Sequence, residues 1–439
     1  MTPTTITTAD PIAKRLQTVQ HLITSGKLSE AAERLNAVVK SAPRDPRVYL
    51  LGMRLGEAAG NPQRAEEAAR RAVELEPTWP VSVTEYAALL SRLGRFDEAM
   101  THGRRAVSLD PRNPQVLARM ADVSHDAQDL EQALVWLQQL SALVPKNNSV
   151  KLLIATDLRL VGRHDDAIQR YDELLTIAPE NNEALLGRAQ AFHAKGDEAA
   201  ALKDCAVLLE REPGNQEYRF LQALAAGQTP PSQPDAVVKK LFDPVAHMFD
   251  EHLVRGLKYH LPKQVADIIK DSYPDLKLNV LDLGCGTGLL GACLGRIDGF
   301  LIGVDLSEQM TAQAMRHQVY DRFHHVNVLD ALQETPASLY DVIAALDLFI
   351  YVGDMTTAIP DAHRILVPGG RFIFSCETAA EDEADLVLRP AGRYAHKRSH
   401  IEALCRAAGF ADVAIEDSEL RLEQDLPVAG FLVIAKKPT

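Results

Sequence analysis

Asn279-Val-Leu-Asp-Leu-Gly-Cys-Gly-Thr-Gly-Leu-Leu290 decides the fold of this chain. Val280, Leu281 and Leu283 form a short apolar run that stops in three alternating glycines, the pattern of a buried strand running into a tight turn and then a helix, Leu289 to Arg296. Glycines at such a turn let backbone approach a ligand closely, and the helix start aims free N–H groups at the same crevice. The stretch therefore predicts a nucleotide site at the end of a parallel strand.

Spacing chooses among nucleotides. A dinucleotide loop needs Gly-x-Gly-x-x-Gly, whereas Gly284, Gly286 and Gly288 give Gly-x-Gly-x-Gly with Leu289 where the last dinucleotide glycine would stand. Asp282, read as lying at the mouth of the loop, would repel a pyrophosphate and suits a ligand carrying an ammonium and a sulfonium. S-adenosylmethionine has both.

Asp282 to Gly288 resembles the first motif of class I S-adenosylmethionine-dependent methyltransferases, and Gly303-Val-Asp305-Leu306-Ser307 resembles their second-strand motif. Asp305 stands nineteen residues after Gly286, where the family places the acid that holds the ribose hydroxyls. Asn327-Val-Leu-Asp330, Tyr340-Asp-Val-Ile343 and Leu366 to Phe374 fall where the family has its third to fifth strands, and strands near 413–420 and 428–435 would complete a Rossmann-like seven-stranded domain over 237–439. By this resemblance the cofactor-binding residues are Asp282, Gly284, Gly286, Gly288, Asp305, Leu306 and Asp330, the last facing the adenine amino group.

The N-terminal half carries a repeat. Prolines recur at 43, 77, 111, 145, 179 and 213, alanines at 31, 65, 99, 133, 167 and 201, and a third series runs Gly26, Gly60, Gly94, Gln128, Gly162, Gly196. Three series in phase with a 34-residue step resemble the tetratricopeptide repeat, a pair of antiparallel helices stacked into an α-solenoid. Glycine ends the first helix, alanine lets the second approach its neighbour, and proline closes it. Six repeats and a capping helix are expected over 12–226, after a polar tail at 1–11. The concave face would include Arg54, Glu57, Asp122, His125, Arg159, Gln190 and His193, and a protein or peptide partner is the occupant that the architecture implies.

Gly227-Gln-Thr-Pro-Pro-Ser-Gln-Pro-Asp235 is polar, proline-rich and without periodicity, so 227–236 reads as a stiff linker. Two Phe-Asp pairs follow, at Phe242-Asp243 and Phe249-Asp250. By family resemblance Phe249 and His252 close over the methionine end of the cofactor, with Tyr259 a further lid candidate.

An open α/β sheet exposes ligand-binding residues at the carboxyl ends of its strands, which nominates Asp347, Phe349 and Tyr351 after the fourth strand for the acceptor. Arg389-Pro-Ala-Gly-Arg-Tyr-Ala-His-Lys-Arg-Ser-His400 is basic and aromatic in an acidic protein, and predicts a loop and helix start at which Arg393, Tyr394 and His396 meet the acceptor.

Composition bounds the function. The 47 basic and 60 acidic residues leave a formal charge of −13, which argues against a broad nucleic-acid footprint. The five cysteines show no Cys-x-x-Cys pair, so neither disulfides nor a metal site is expected. No apolar run approaches membrane-spanning length and the first residues are not signal-like, so a cytoplasmic location is expected. The expected activity is methyl transfer from S-adenosylmethionine, with the repeats recruiting a protein or carrier-bound acceptor. A small-molecule O-methyltransferase, for instance on a carboxylate, with repeats for assembly, and an inactive repeat adaptor, are the alternatives. The intact glycine loop and Asp305 count against the last.

Overall fold

The computed structural model describes residues 10–246, 249, 258–389, 391–423 and 426–439. Most of the polar tail and His252 lie outside them. The chain divides into two compact units, Met1–Asp204 and Cys205–Thr439, with the division falling inside the helix Glu198–Arg211.

The first unit is made of helix pairs in the expected phase. Pro46–Ala58 with Pro62–Leu75, and Pro80–Arg92 with Phe96–Leu109, are typical. Glycines 26, 60, 94, 162 and 196 all have φ between +66° and +79°, the left-handed turn that ends a first helix. Gln128 adopts the same turn with φ +59°, so the series keeps its geometry without glycine there. Alanines 31, 65, 99, 133, 167 and 201 are all completely buried. Each second helix ends two residues before its series proline, as at Leu75 and Pro77. A capping series accompanies the other three: Asp45, Asn113, Asn147 and Asn181 each accept a backbone N–H at the start of a first helix, while Trp79 stands in that place without a side-chain cap.

The second unit holds a nine-stranded sheet: β1 Val280–Leu283, β2 Leu301–Val304, β3 Arg322–His324, β4 Tyr340–Ala345, β5 Leu366–Ala379, β6 Leu386–Leu388, β7 Tyr394–Lys397, β8 Asp412–Glu423 and β9 Leu426–Lys436. Seven of these run in the order β3-β2-β1-β4-β5-β9-β8, with β9 alone antiparallel to its neighbours. The other two correct the expected strand count. The stretch 389–400, read as a loop and helix start, does open a helix at Arg398, but the residues before it form the turn and second strand of the hairpin β6–β7, and β7 adds in parallel to the far end of β5 at Glu377 to Ala379. The long strand β5 makes this possible, because its neighbour β4 stops at Ala345 opposite Phe374 and leaves that edge open at Glu377 to Ala379 for β7.

The segment expected to act as a spacer is also corrected. Tyr394 Oη donates to Pro230 O at 2.7 Å, Asp354 N to Pro231 O at 2.7 Å and Gln233 N to Tyr351 O at 2.9 Å. Residues 230–233 therefore strap across the sheet unit and are held by its backbone. The helix Asp235–Phe242 continues from the strap, with Asn327 Nδ2 donating to Asp235 Oδ1 at 2.6 Å.

Candidate functional site

Strand β1 is buried throughout, and its pleat sends Leu281 and Leu283 to one face and Val280 and Asp282 to the other. The glycines after it have φ +65°, +54° and +80° at Gly284, Gly286 and Gly288. A Cβ at Gly284 would come within 2.9 Å of Leu348, and one at Gly288 within 2.8 Å of Ala314, so these two serve packing. At Gly286 the nearest atom would be Met310 Cε at 3.8 Å. The middle glycine is the one that leaves its surface open to a ligand.

Asp305, at the end of β2, faces this loop. One carboxylate oxygen accepts Gly286 N–H at 2.9 Å and the other accepts Ser307 N–H at 2.8 Å. Burial raises its pKa against those two bonds, which favour the charged form. Leu306 O accepts from Lys239 Nζ at 3.1 Å, so the helix Asp235–Phe242 reaches the turn that follows Asp305. The carboxylate is anchored by backbone at both oxygens and keeps lone pairs for hydroxyl donors.

Asp282 is not at the mouth of the loop. It is 3 % exposed beneath it, and Tyr320 Oη donates to its carboxylate at 2.6 Å. Burial pushes its pKa up to about 7. Tyr320 reaches it across Gly291, where any side chain would overlap the phenol ring at 2.4 Å.

Asp330 also stands elsewhere than expected. Strand β3 ends at His324, and Asp330 lies exposed in the first turn of the helix Val328–Glu334. Asn327 is the residue at the strand's carboxyl side, capping that helix through Leu329 N–H at 2.9 Å. Phe249 meets Phe242 edge-on at 5.8 Å, and Phe242 meets Tyr351 edge-on at 5.3 Å, an aromatic cluster that joins the lid candidate to an acceptor candidate.

The side nominated for the acceptor holds a buried ionic cluster that sequence reasoning found only in part. Asp347 follows β4 with φ +51°, a strained conformation for a residue with a side chain, and its N–H is held by Ser375 Oγ at 2.8 Å. Arg421 Nη1 donates to Asp347 at 2.8 Å, and Arg421 Nη2 also donates to Glu377, which accepts Arg393 Nε at 2.8 Å as well. Arg421 is only 7 % exposed. Its inward aim comes from a bulge: the β8–β9 register slips between Glu419 and Arg421, so Leu420 and Arg421 are both buried in place of the usual alternation. Nothing in the local sequence announces that bulge except Gly430 opposite, where a Cβ would strike Leu420 at 2.4 Å. Burial raises the pKa of Asp347, opposed by Arg421. Burial and the Asp347 charge raise that of Tyr259, and burial pushes Tyr351 up to about 12.

Tyr394 and His396, expected at an open acceptor mouth, are buried instead, because β7 joins the sheet and turns both side chains toward the strap and Gly353. Arg393, the residue just before β7, is the one member of that group that reaches the cluster.

In the repeats, several candidate groove residues are tied to one another across repeats. Arg54 donates to Gln20 at 2.8 Å, Arg92 to Glu57 at 2.8 Å, and His125 pairs with the buried Asp157 at 2.8 Å.

Comparison with known proteins agrees with this architecture. Residues 281–372 match the family described as a methyltransferase domain, and 16–80, 54–114, 90–156 and 152–216 match tetratricopeptide repeat families. The ubiquinone biosynthesis O-methyltransferase of Hydrogenovibrio crunogenus is 29% identical over 178 residues, covering 36% of this chain and 70% of that protein. Its counterpart in Pseudomonas syringae pv. tomato is 31% identical over 100 residues, covering 22% of this chain and 43% of the relative. The chain thus spans less than half the length of the second relative. Among solved structures, PilW, a type IV pilus biogenesis factor, aligns with a TM-score of 0.41 and 19% identity over 48% of this chain and 99% of its own. The chain carries tetratricopeptide repeats followed by a methyltransferase domain.

Proposed function

We propose that the protein is an S-adenosylmethionine-dependent methyltransferase that acts on the hydroxyl of a small molecule, and that its repeats engage a protein partner. The observation that carries this reading is the pairing of the open Gly286 backbone with Asp305, whose two oxygens are fixed by Gly286 and Ser307 N–H. Asp305 would take the ribose hydroxyls, Asn327 rather than Asp330 would meet the adenine, and the helix bearing Lys239 would cover them. Phe249, Phe242 and Tyr351 would shield the methionine end from water. The cofactor, when bound, supplies the methyl group as an electrophile.

The protein's own work is then to align the acceptor and remove its proton. Asp347 is suited to taking that proton, because burial raises its pKa toward the range useful to a base while Arg421 fixes its orientation. The relatives are named as O-methyltransferases, and a hydroxyl acceptor is the class that needs such a base. A carrier-bound or protein acceptor brought by the repeats is the second reading, favoured by the open-ended stack of helix pairs.

Calorimetry on the full chain tests the cofactor: S-adenosylmethionine should bind and NAD should not. Mass spectrometry of cell extract incubated with labelled cofactor tests the acceptor. Label confined to small molecules supports the first reading, and label in protein that vanishes when 1–226 is deleted supports the second.

A further inference from the structure

A cavity of about 250 Å³ lies between the loop after β4, the hairpin β6–β7, the helix Arg398–Ala407 and the strap, whose Pro231 helps line it. It is separate from the ionic cluster. None of its lining residues belongs to that cluster: Arg393, just before β7, reaches Glu377, while Tyr394 and His396 reach the strap and Gly353. Pro231, Met355, Leu386, Ile401 and Leu404 give the apolar walls, Thr229, Asp354 and His400 are the polar members that keep some exposure, and His396 is the buried polar side chain.

His396 is 2 % exposed, and its Nε2 lies 2.6 Å from Gly353 O. A carbonyl accepts only, so Nε2 carries the proton and Nδ1 holds a lone pair. That Nδ1 is buried and has no partner among the described residues. Burial also holds the ring neutral, pushing its pKa down to about 4. A buried acceptor without a donor is costly, and in native proteins it marks strain, a catalytic role or a water, ion or other small molecule that satisfies it.

We propose that this cavity binds a small, mostly apolar molecule with one hydrogen-bond donor, a phenol or aromatic alcohol in size and polarity, whose hydroxyl donates to His396 Nδ1. The volume suits a single ring, since an apolar cavity of roughly 150 Å³ accommodates benzene. The proton on Nε2 is already committed to Gly353, so the site offers an acceptor and favours donors over isosteres that lack them.

The test uses the full chain with p-cresol and toluene as probes. Calorimetry should show saturable p-cresol binding at least tenfold tighter than toluene, and Leu404→Trp, which fills the cavity from its wall, should weaken it at least tenfold. In the natural chain carrying ¹⁵N-labelled histidine, the His396 Nδ1 resonance should move upfield as p-cresol saturates. Equal binding of the two probes, or an Nδ1 resonance that stays still at saturating p-cresol, would overturn the proposal. Should Leu404→Trp fail to fold, the resonance of the unaltered protein still decides.

Discussion

Replacing Asp282 by asparagine should reverse a pH-dependent weakness of the sheet unit. The carboxyl is buried beneath the glycine loop, and burial moves its pKa from 3.8 to about 7. A group whose folded pKa lies above its unfolded value contributes stability below the unfolded pKa and loses it as pH rises through the folded one. At about 1.36 kcal/mol per unit, the whole effect is roughly 4 kcal/mol, of which roughly 2–3 kcal/mol falls between about pH 5 and pH 8. The asparagine side chain would keep the bond from Tyr320, since its amide oxygen accepts, and has no proton to lose. The difference in unfolding free energy between Asp282→Asn and the natural chain should therefore grow in the variant's favour by that amount over this window. Urea titration followed by circular dichroism measures it, and an internal control is built in. Both tryptophans, Trp79 and Trp136, lie in the repeats, so the fluorescence transition should not move. A difference independent of pH would refute the burial argument, and one that grows in favour of the natural chain would show that the charged form is the stabilised one.

Four further outcomes are expected. Asp305→Ala should weaken S-adenosylmethionine binding by roughly 1–3 kcal/mol in calorimetry, the cost of leaving buried hydroxyls without an acceptor; undiminished affinity would remove Asp305 from the site. Arg421→Met should destabilise the sheet unit by roughly 3–5 kcal/mol in urea, because Asp347 and Glu377 would stay buried without their shared cation. The double variant with Asp347→Asn should recover part of that loss. We place the domain boundary at 227–236, so a fragment 227–439 should fold alone, and the shorter 237–439 should melt at lower temperature. The shorter one leaves the buried Tyr394 hydroxyl without Pro230, a loss of roughly 1–3 kcal/mol, and identical melting of the two would show that the strap is idle. In the repeats, Gly187→Ala should cost roughly 1–3 kcal/mol by overpacking, since the new methyl would sit 2.3 Å from Tyr171 Oη, and the tryptophan transition should report it.

What the sequence by itself determined were features that the backbone imposes locally. A left-handed turn demands glycine or a tolerant residue, so the series at 26, 60, 94, 128, 162 and 196 could be read directly, and Gln128 could be named as the exception. The same logic exposed the loop at Gly284, Gly286 and Gly288, while the acid that faces it nineteen residues beyond Gly286 was found through its resemblance to a family motif. Packing alanines repeat because each repeat meets its neighbour in one geometry.

Only the tertiary structure decided the rest, because those contacts join residues far apart in the chain. Arg421 reaches Asp347 across 74 residues through a bulge whose one sequence mark is Gly430 on the facing strand, and Tyr394 meets Pro230 across 164. Basic and aromatic residues at 389–400 carried the composition of a surface loop, and the free end of β5 recruited four of them as a strand and buried Tyr394 and His396. Pairing of a sheet edge is a long-range choice, made by which strand is left with unsatisfied backbone groups. The proline-rich stretch read as a spacer for the same reason: its lack of periodicity was visible, and the carbonyls that tie it to the sheet were not.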